Sequence, residues 1–417
     1  MNILVVSQFF APEMGAPAAR FHDFGKLLLA RGHRVTILTG LPNSPSGVIP
    51  DAYRGRLAMT ETIDGITVLR GWLFASSKLS KMTKAAGFAS FAASASAQAL
   101  LRRVSADVVV ATSPPPTVGV PGVLLARRLG VPLVFDVRDI WPEAIAASGR
   151  LRSGGLIRVL ERLERALYAA SAAITVVTEG KRQRLIEKGV AADKVHVIPN
   201  GVDLQRFEDP RPMSDAHWRA LGLEPGRFTL LYAGIMNPPQ GLDVLLDAAL
   251  RLRASDPALA ARFQLALVGA GSERERLVAR VARDGLGEAV RFVAEQPRDA
   301  IPPLLCTADA IAVTLRPRKD AHTVPSKLYE AMASGRPVLV SADGAPAEIL
   351  REAKAGLATP ASDAGALADS IRALLEDPER GRAFGASGRR YAAAFDRGRL
   401  VERFEAVLQG VVATRSS

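Results

Sequence analysis

Short, uninterrupted apolar runs constrain this chain more than any other feature. Ile3–Ser7, Arg34–Leu38, Ile66–Arg70, Asp107–Ala111, Leu133–Val137, Ala173–Val177 and Val195–Ile198 punctuate the first half, with helical patterns between most of them. Runs of this length, apolar on both faces, predict parallel strands covered by helices on either side of a sheet. A turn-rich interval follows, from Asn200-Gly201-Val202-Asp203 through Asp209-Pro210-Arg211-Pro212 to Glu224-Pro225-Gly226. The pattern then restarts at Phe228–Ala233 and continues through Phe263–Val268, Val290–Val293, Ala310–Val313 and Val338–Ser341. Two doubly wound α/β domains are expected, 1–204 and 205–395. In such sheets ligands lie beyond the carboxyl ends of the strands, so a cleft between two facing domains is the expected site.

At 417 residues and 48% hydrophobic composition, the chain has ample material for two cores. One cysteine, Cys306, leaves no disulfide framework, and the N-terminus enters a strand without a basic leader. Both features suit a cytoplasmic protein. The five histidines and Cys306 lack metal-ligand spacing, so no metal is expected. The formal charge of +12 is uneven: residues 1–203 carry a net +10 and residues 204–417 a net +2. That asymmetry points the first half towards an anionic partner, although solubility alone is another reason for it.

One segment breaks the regular alternation. Residues 78–103 read as a long Ala/Ser-rich helix with five basic residues and no acidic one. At 100° per residue, Lys81, Lys84, Phe88 and Phe91 share one side, while Leu79, Met82, Ala86, Ala93, Ala97 and Leu100 share the other. The second side is the expected core face. The first, lysines with two phenylalanines, would suit an anionic lipid surface, and an ordinary solvated helix is the alternative.

The chemistry-bearing motifs sit where strands give way to helices. Thr323-Val324-Pro325-Ser326-Lys327-Leu328-Tyr329-Glu330 leads into a helix that Gly335 should stop. Ser326 is the expected N-cap, and the backbone N–H groups near Lys327 and Leu328 should face a phosphate, with Lys327 adding a full charge. Glu330, one turn on, could accept from a pair of sugar hydroxyls. The same residues also serve as plain helix stabilisers. The loop after the Ile3–Ser7 run at Gly15 and Ala16, and the glycine loops at Gly234 and at Gly269 and Gly271, have the form of phosphate or nucleobase cradles. None of them is a dinucleotide fingerprint. Asp136-Val137-Arg138-Asp139 ends an apolar strand, where charges must pair or bind something.

Taken in order, these motifs resemble the family 4 retaining glycosyltransferases along essentially the whole chain. The resemblance rests on Phe10–Arg20, Arg31-Gly32-His33-Arg34-Val35-Thr36, Val197–Asp203, Tyr232-Ala233-Gly234, Gly269-Ala270-Gly271 and Ser326–Gly335. It implies the GT-B fold, two facing Rossmann-like domains with a central cleft, and a C-terminal helix near 396–412 returning to the first domain. Ala11–Arg20, Leu41–Gly47, Val137–Glu143 and Val324–Glu330 are similar to the branch that transfers N-acetylfucosamine-type sugars in surface polysaccharide assembly. The implied donor is a UDP-sugar, without metal or other cofactor. The implied acceptor is a polyprenyl-diphosphate-linked sugar at the inner face of the cytoplasmic membrane.

By the same resemblance, Glu330 would hold the ribose, and Ser326, Lys327 and Leu328 the diphosphate. Gly15, Ala16, Gly234, Gly269 and Gly271 would complete the donor site. Asp139 and Arg138 would stand by the transferred sugar with Lys327 as the charge-neutralising group. Arg20, Lys81, Lys84, Phe88 and Phe91 would serve the acceptor and membrane. Three positions depart from the family pattern: His322 replaces a usual glutamate, Gln240 and Ile235 replace a usual lysine and arginine, and Arg138 stands where many relatives have histidine. Lys327 would then carry more of the diphosphate charge, helped by Arg316 or Arg318. A GT-B nucleotide-sugar epimerase is the same-fold alternative. A non-catalytic anion- or membrane-binding protein is the other, and nucleic acid is not an expected partner.

Overall fold

The computed structural model describes all residues except 14, 15, 45, 79, 144–153, 210, 318–321 and 417, and leaves the side chains of residues 16, 17, 81 and 416 undescribed. The chain forms two compact units, Met1–Asn200 with Arg397–Ser417, and Gly201–Asp396.

The first unit holds an eight-stranded sheet: β1 Asn2–Val6, β2 Arg34–Gly40, β3 Ala58–Ile63, β4 Ile66–Gly71, β5 Val108–Ser113, β6 Leu133–Val137, β7 Ala173–Val176 and β8 Val195–Val197. Their order is β3-β4-β2-β1-β5-β6-β7-β8, parallel throughout except for the β3–β4 pair. The central strands are buried on both faces, which is why they read as continuous apolar runs. The strand β3 was not expected from the sequence. It alternates between exposed and half-buried positions and turns into β4 through Asp64 and Gly65, with φ of 49° and 80°. Asp-Gly is a hairpin signal of the type that matches strand twist; the absence of an apolar run hides the strand itself.

The second unit has six strands in all-parallel order β11-β10-β9-β12-β13-β14. They are β9 Phe228–Ala233, β10 Phe263–Val268, β11 Val290–Val293, β12 Ala310–Thr314, β13 Val338–Ser341 and β14 Gly356–Thr359. The short edge strand β14 is the other element that hydrophobic patterning misses. Both sheets thus give the two Rossmann-like domains that the repeated apolar runs imply.

The terminal helix Arg397–Ser416 belongs to the first unit and packs on helix Ala16–Ala30. Phe404 is fully buried, with its ring 6.1 Å from that of Phe21 and 5.6 Å from that of Phe24. Polar clamps flank this contact: Arg397 bonds Asp23, and Glu405 accepts from His33 at 2.7 Å and also pairs with Arg31. Burial pushes the Glu405 carboxyl up, but the hydrogen bonds of His33 and Arg31 outweigh it and leave the group below its ordinary value.

Phe404→Ala should cost about 3–5 kcal/mol by opening a cavity between two helices, read as a lower midpoint of chemical unfolding. Replacing the exposed Glu402 by Ala should stay within about 0.5 kcal/mol. Equal effects would mean that the terminal helix is not part of the first core.

Candidate active site

Charged side chains stand at the carboxyl ends of the strands in each unit. In the second unit one of them is Lys327, the first residue of helix Lys327–Ala333. Its ammonium donates to the Tyr232 hydroxyl at 2.8 Å and to Gln240 Oε1 at 3.0 Å, and lies 4.0 Å from the centre of the Tyr232 ring. Tyr232 in turn donates to the Ile235 carbonyl at 2.8 Å, which fixes the hydroxyl as an acceptor for the lysine. The residue is half-buried, but its ammonium end is enclosed. Burial pushes its pKa down from the usual 10.5 to about 7, against the pull of the Glu330 charge.

A cavity of about 180 Å³ opens at this point, lined by Ala233, Gly234, Ile301, Leu305, Val313, Lys327 and Glu330 among others. It is an apolar recess with one cation and one carboxylate at its wall. Arg206 senses the Glu330 charge from the side. Gly234 has φ of +146°, and a Cβ there would meet Lys327 Nζ at 2.6 Å, so glycine is what admits the ammonium.

The other two glycines allow close backbone contacts. A Cβ on Gly269 would lie 2.2 Å from the Gly234 carbonyl oxygen, and one on Gly271 would lie 2.2 Å from that of Met236. Met236 N–H also donates to Ala270 O at 2.8 Å. The missing side chains let two strand-end loops cross in contact.

The helix start is also not the expected cap. Ser326 is already helical in conformation, with φ −57° and ψ −31°, and its hydroxyl makes no capping bond. The Leu328 N–H is committed to Pro325 O at 3.0 Å, because the chain tightens into an i→i+3 turn there. Leu328 itself is buried. Gly335 does end the helix, with φ +71°. Arg316 is half-exposed and directed to Asp243 at 3.6 Å, and Arg318 lies outside the described residues.

In the first unit the hub is Asp136, fully buried at the end of β6. Its carboxylate accepts from Arg20 at 3.2 Å and from the hydroxyls of Thr112 and Thr175, each at 2.8 Å. Arg20 also donates to the carbonyls of Ile198 and Pro199 at 3.0 and 2.9 Å. It is therefore a buried strut holding the end of β8, not the acceptor or membrane contact expected of it. Arg138 is buried too; its Nε donates to Ser113 O at 3.2 Å, and burial pushes its guanidinium down while Asp136 opposes the shift. Asp139 is the more accessible carboxylate, 3.2 Å from the buried Lys181, which also donates to Arg138 O.

Two residues here went unnoticed in the sequence. Lys181 stands just inside a helix capped by Thr178, a pattern usually read as solvent-facing. Glu13 is 8% exposed and accepts from the backbone N–H groups of Phe10, Asn43 and Ser44 at 3.1, 2.8 and 2.9 Å. It ties the loop after β1 to the loop after β2. An acid between two apolar, proline-bearing loops was the available signal.

Gly15 lies outside the described residues, and Ala16 is described only as the start of its helix. On helix Lys81–Leu101 the two faces are opposite to expectation. Phe91 is fully buried with Ala95 and Ala99, whereas Met82 and Leu100 are exposed. Phe88 is half-buried and meets Trp141 edge-on, with ring centres 6.2 Å apart. Lys84 is exposed, and the Lys81 side chain is not described. Among the described residues no group of three or more His, Cys, Asp or Glu could hold a metal ion.

Comparison with known proteins fits this geometry. Residues 15–201 match the family model "Glycosyl transferase 4-like domain", and residues 214–391 match "Glycosyl transferases group 1". The D-inositol 3-phosphate glycosyltransferase 1 of Catenulispora acidiphila is 31% identical over 298 residues, 70% of this chain and 69% of that protein. The putative colanic acid biosynthesis glycosyl transferase WcaI of Escherichia coli is 28% identical over 350 residues, 82% of this chain and 84% of its own. The crystal structure of Anabaena HepE in complex with UDP-glucose has a TM-score of 0.71 at 20% identity, covering 98% of this chain and 100% of that one. That last likeness is one of fold.

Asp136→Asn should cost about 3–5 kcal/mol, since it strands the buried Arg20 guanidinium, measured by chemical denaturation. Asp51→Asn, which removes an exposed pair with Arg54, should cost less than about 1 kcal/mol. If the two variants unfolded alike, Asp136 would not be the hub described.

Proposed function

Because this chain belongs to the glycosyltransferase family defined by those two matched domains, nucleotide-sugar-dependent enzymes of the GT-B fold, we propose that it is a retaining transferase in surface polysaccharide assembly. It moves an N-acetylated amino sugar from UDP to a polyprenyl-diphosphate-linked sugar at the inner face of the cytoplasmic membrane. The UDP donor is supported by the UDP-glucose held by the fold neighbour, and the pathway by the length of the match to the colanic acid relative. The lipid-linked acceptor is supported by the basic first half of the chain. No helix among the described residues is long and apolar enough to cross a membrane, so the reading requires association with its surface.

The observation that carries this reading is the ammonium of Lys327. It is enclosed, hydrogen-bonded to neutral oxygens only, and set beside a cavity with Glu330 across its wall. A cation so placed gains most from an incoming polyanion. In the proposed reaction the acceptor hydroxyl oxygen bonds to the anomeric carbon on the face from which the diphosphate departs. The acceptor proton passes to the departing phosphate. Lys327 neutralises the charge that develops on the diphosphate as the sugar becomes oxocarbenium-like. Glu330 accepts from the ribose hydroxyls. No metal or cofactor is part of this scheme.

The inositol phosphate relative favours a second reading, a phosphorylated polyol as acceptor. Product analysis with each acceptor separates the two, and incubation with donor alone separates both from an epimerase, which would change the sugar without any acceptor.

Lys327→Ala should lower kcat by about 10²–10³-fold, as for loss of one donor to a developing anion. Glu330→Ala should raise the donor KM by about tenfold or more, through the lost hydrogen bonds to ribose. If Lys327→Ala kept the parental kcat, or Glu330→Ala the parental donor KM, the site assignment would fail. Donor affinity should also depend on pH. The free enzyme holds Lys327 charged below about 7, so affinity should fall as pH rises through 7, by at most about tenfold per unit for one proton. In Lys327→Arg the guanidinium stays charged and the dependence should vanish; an unchanged profile would assign it to another group.

A further inference from the structure

Six large apolar side chains stand exposed within one stretch of the first unit: Leu57, Trp72, Phe74, Met82, Leu100 and Leu101. They are brought together by packing along one edge. Trp72 N–H donates to Leu57 O at 2.9 Å, joining the two where β3 and β4 pair. Phe74 N–H donates to Ser90 Oγ at 2.8 Å, and the Phe74 carbonyl oxygen would lie 3.1 Å from a Cβ on Gly87, so this segment runs against helix Lys81–Leu101. Arg102 closes the far end on Thr60 of β3 at 2.9 Å. Met82 and Leu101, at opposite ends of the helix, are 83% and 82% exposed, more than any core role allows.

Cations dominate around this edge, and the acids of its hairpin, Glu61 and Asp64, are paired with Arg70 and with His22 and Lys26. Residues 65–106 contain six Lys or Arg and no Asp or Glu. Lys78 is exposed just ahead of the helix and Arg103 just beyond it, and Arg56 is exposed beside Leu57. Exposed aromatic and aliphatic side chains with a rim of free cations suit a surface that is apolar a few ångströms down and anionic on top. A soluble acidic protein would match the cations but leave Met82 and Leu101 without cover.

We propose that the edge formed by Leu57, Trp72, Phe74 and the outward face of helix Lys81–Leu101 seats the enzyme on an anionic phospholipid bilayer, with the helix lying in the headgroup plane. The face is the reverse of the one suggested by lysine and phenylalanine periodicity, because Phe91 is used by the core. The inference specifies the membrane association in the functional reading above. It does not depend on which sugar or acceptor is used.

The test uses the full chain and vesicles without any sugar substrate. The sole native cysteine, Cys306, is buried, so Met82→Cys takes an environment-sensitive thiol dye at one accessible position, and Glu288→Cys in the second unit serves as the comparison. With vesicles of equal phosphatidylglycerol and phosphatidylcholine, the dye at 82 should shift to the blue and the dye at 288 should not. Pure phosphatidylcholine should bind at least tenfold more weakly. The combined variant Phe74→Ser, Met82→Ser, Leu101→Ser should lose at least tenfold in co-flotation, and Lys78→Glu with Arg103→Glu should do the same with the apolar residues intact. Unchanged melting curves would certify that these variants fold. An unshifted dye at 82, or parental flotation of either variant, overturns the proposal. So does a blue shift that appears without vesicles and grows with protein concentration, which would make the face a contact between copies. Failure of the polyprenyl acceptor in product analysis, with vesicle binding intact, would sink the acceptor reading alone.

Discussion

A single enclosed ammonium organises the second unit. Lys327 reaches its place only because Gly234 lacks a side chain, and that glycine sits where β9 ends and the loop turns aside. That loop crosses in contact with the one at Gly269 and Gly271. Tyr232 supplies both a ring face and a hydroxyl, and Gln240 supplies the second acceptor. Neutral partners solvate the cation without cancelling it. An ion pair there would have been better for the resting protein and worse for an incoming diphosphate, since the carboxylate would repel it. The lowered pKa is the visible cost of that choice.

This arrangement bears on a departure from the family resemblance. At position 240, where the resemblance implies a lysine, this chain has glutamine, and Gln240 Oε1 accepts from the Lys327 ammonium itself. We propose that Lys327, from the helix, supplies the charge that the resemblance sets in that loop. In the first unit the opposite principle holds. Asp136, Arg20 and Arg138 are charges spent on structure, and Lys181 spans the Arg138 carbonyl and Asp139. Asp139 is the partly exposed member.

The repeated apolar runs made the two sheets legible, because a strand buried on both faces leaves little freedom in sequence. Strand β3, half exposed at the sheet edge, left only its Asp-Gly turn as a trace. The site was legible as residues but less so as geometry. Lys327, Glu330 and Gly234 do converge on one cavity, yet Ser326 looked like a cap and is not, since the Pro325 carbonyl takes the N–H first. Arg20 looked like a free cation in a loop-proximal helix; its partners come from β6 and β8, more than a hundred residues away, which no local pattern can show. On helix Lys81–Leu101 periodicity misled because alanine and serine lie on every side. The deciding contacts were Phe91 in the core and the Gly87 approach of the Phe74 carbonyl, and neither has a signature in spacing.

The claim that Lys327 carries the charge a relative would hold at position 240 is open to a direct transposition. UDP is titrated calorimetrically into the parent, into Lys327→Gln, and into Lys327→Gln with Gln240→Lys. The account predicts a loss of about ten- to a hundredfold in affinity for the single variant, the worth of a charged hydrogen bond, and recovery of most of it in the double variant. Binding of UDP by Lys327→Gln as tight as by the parent would contradict it.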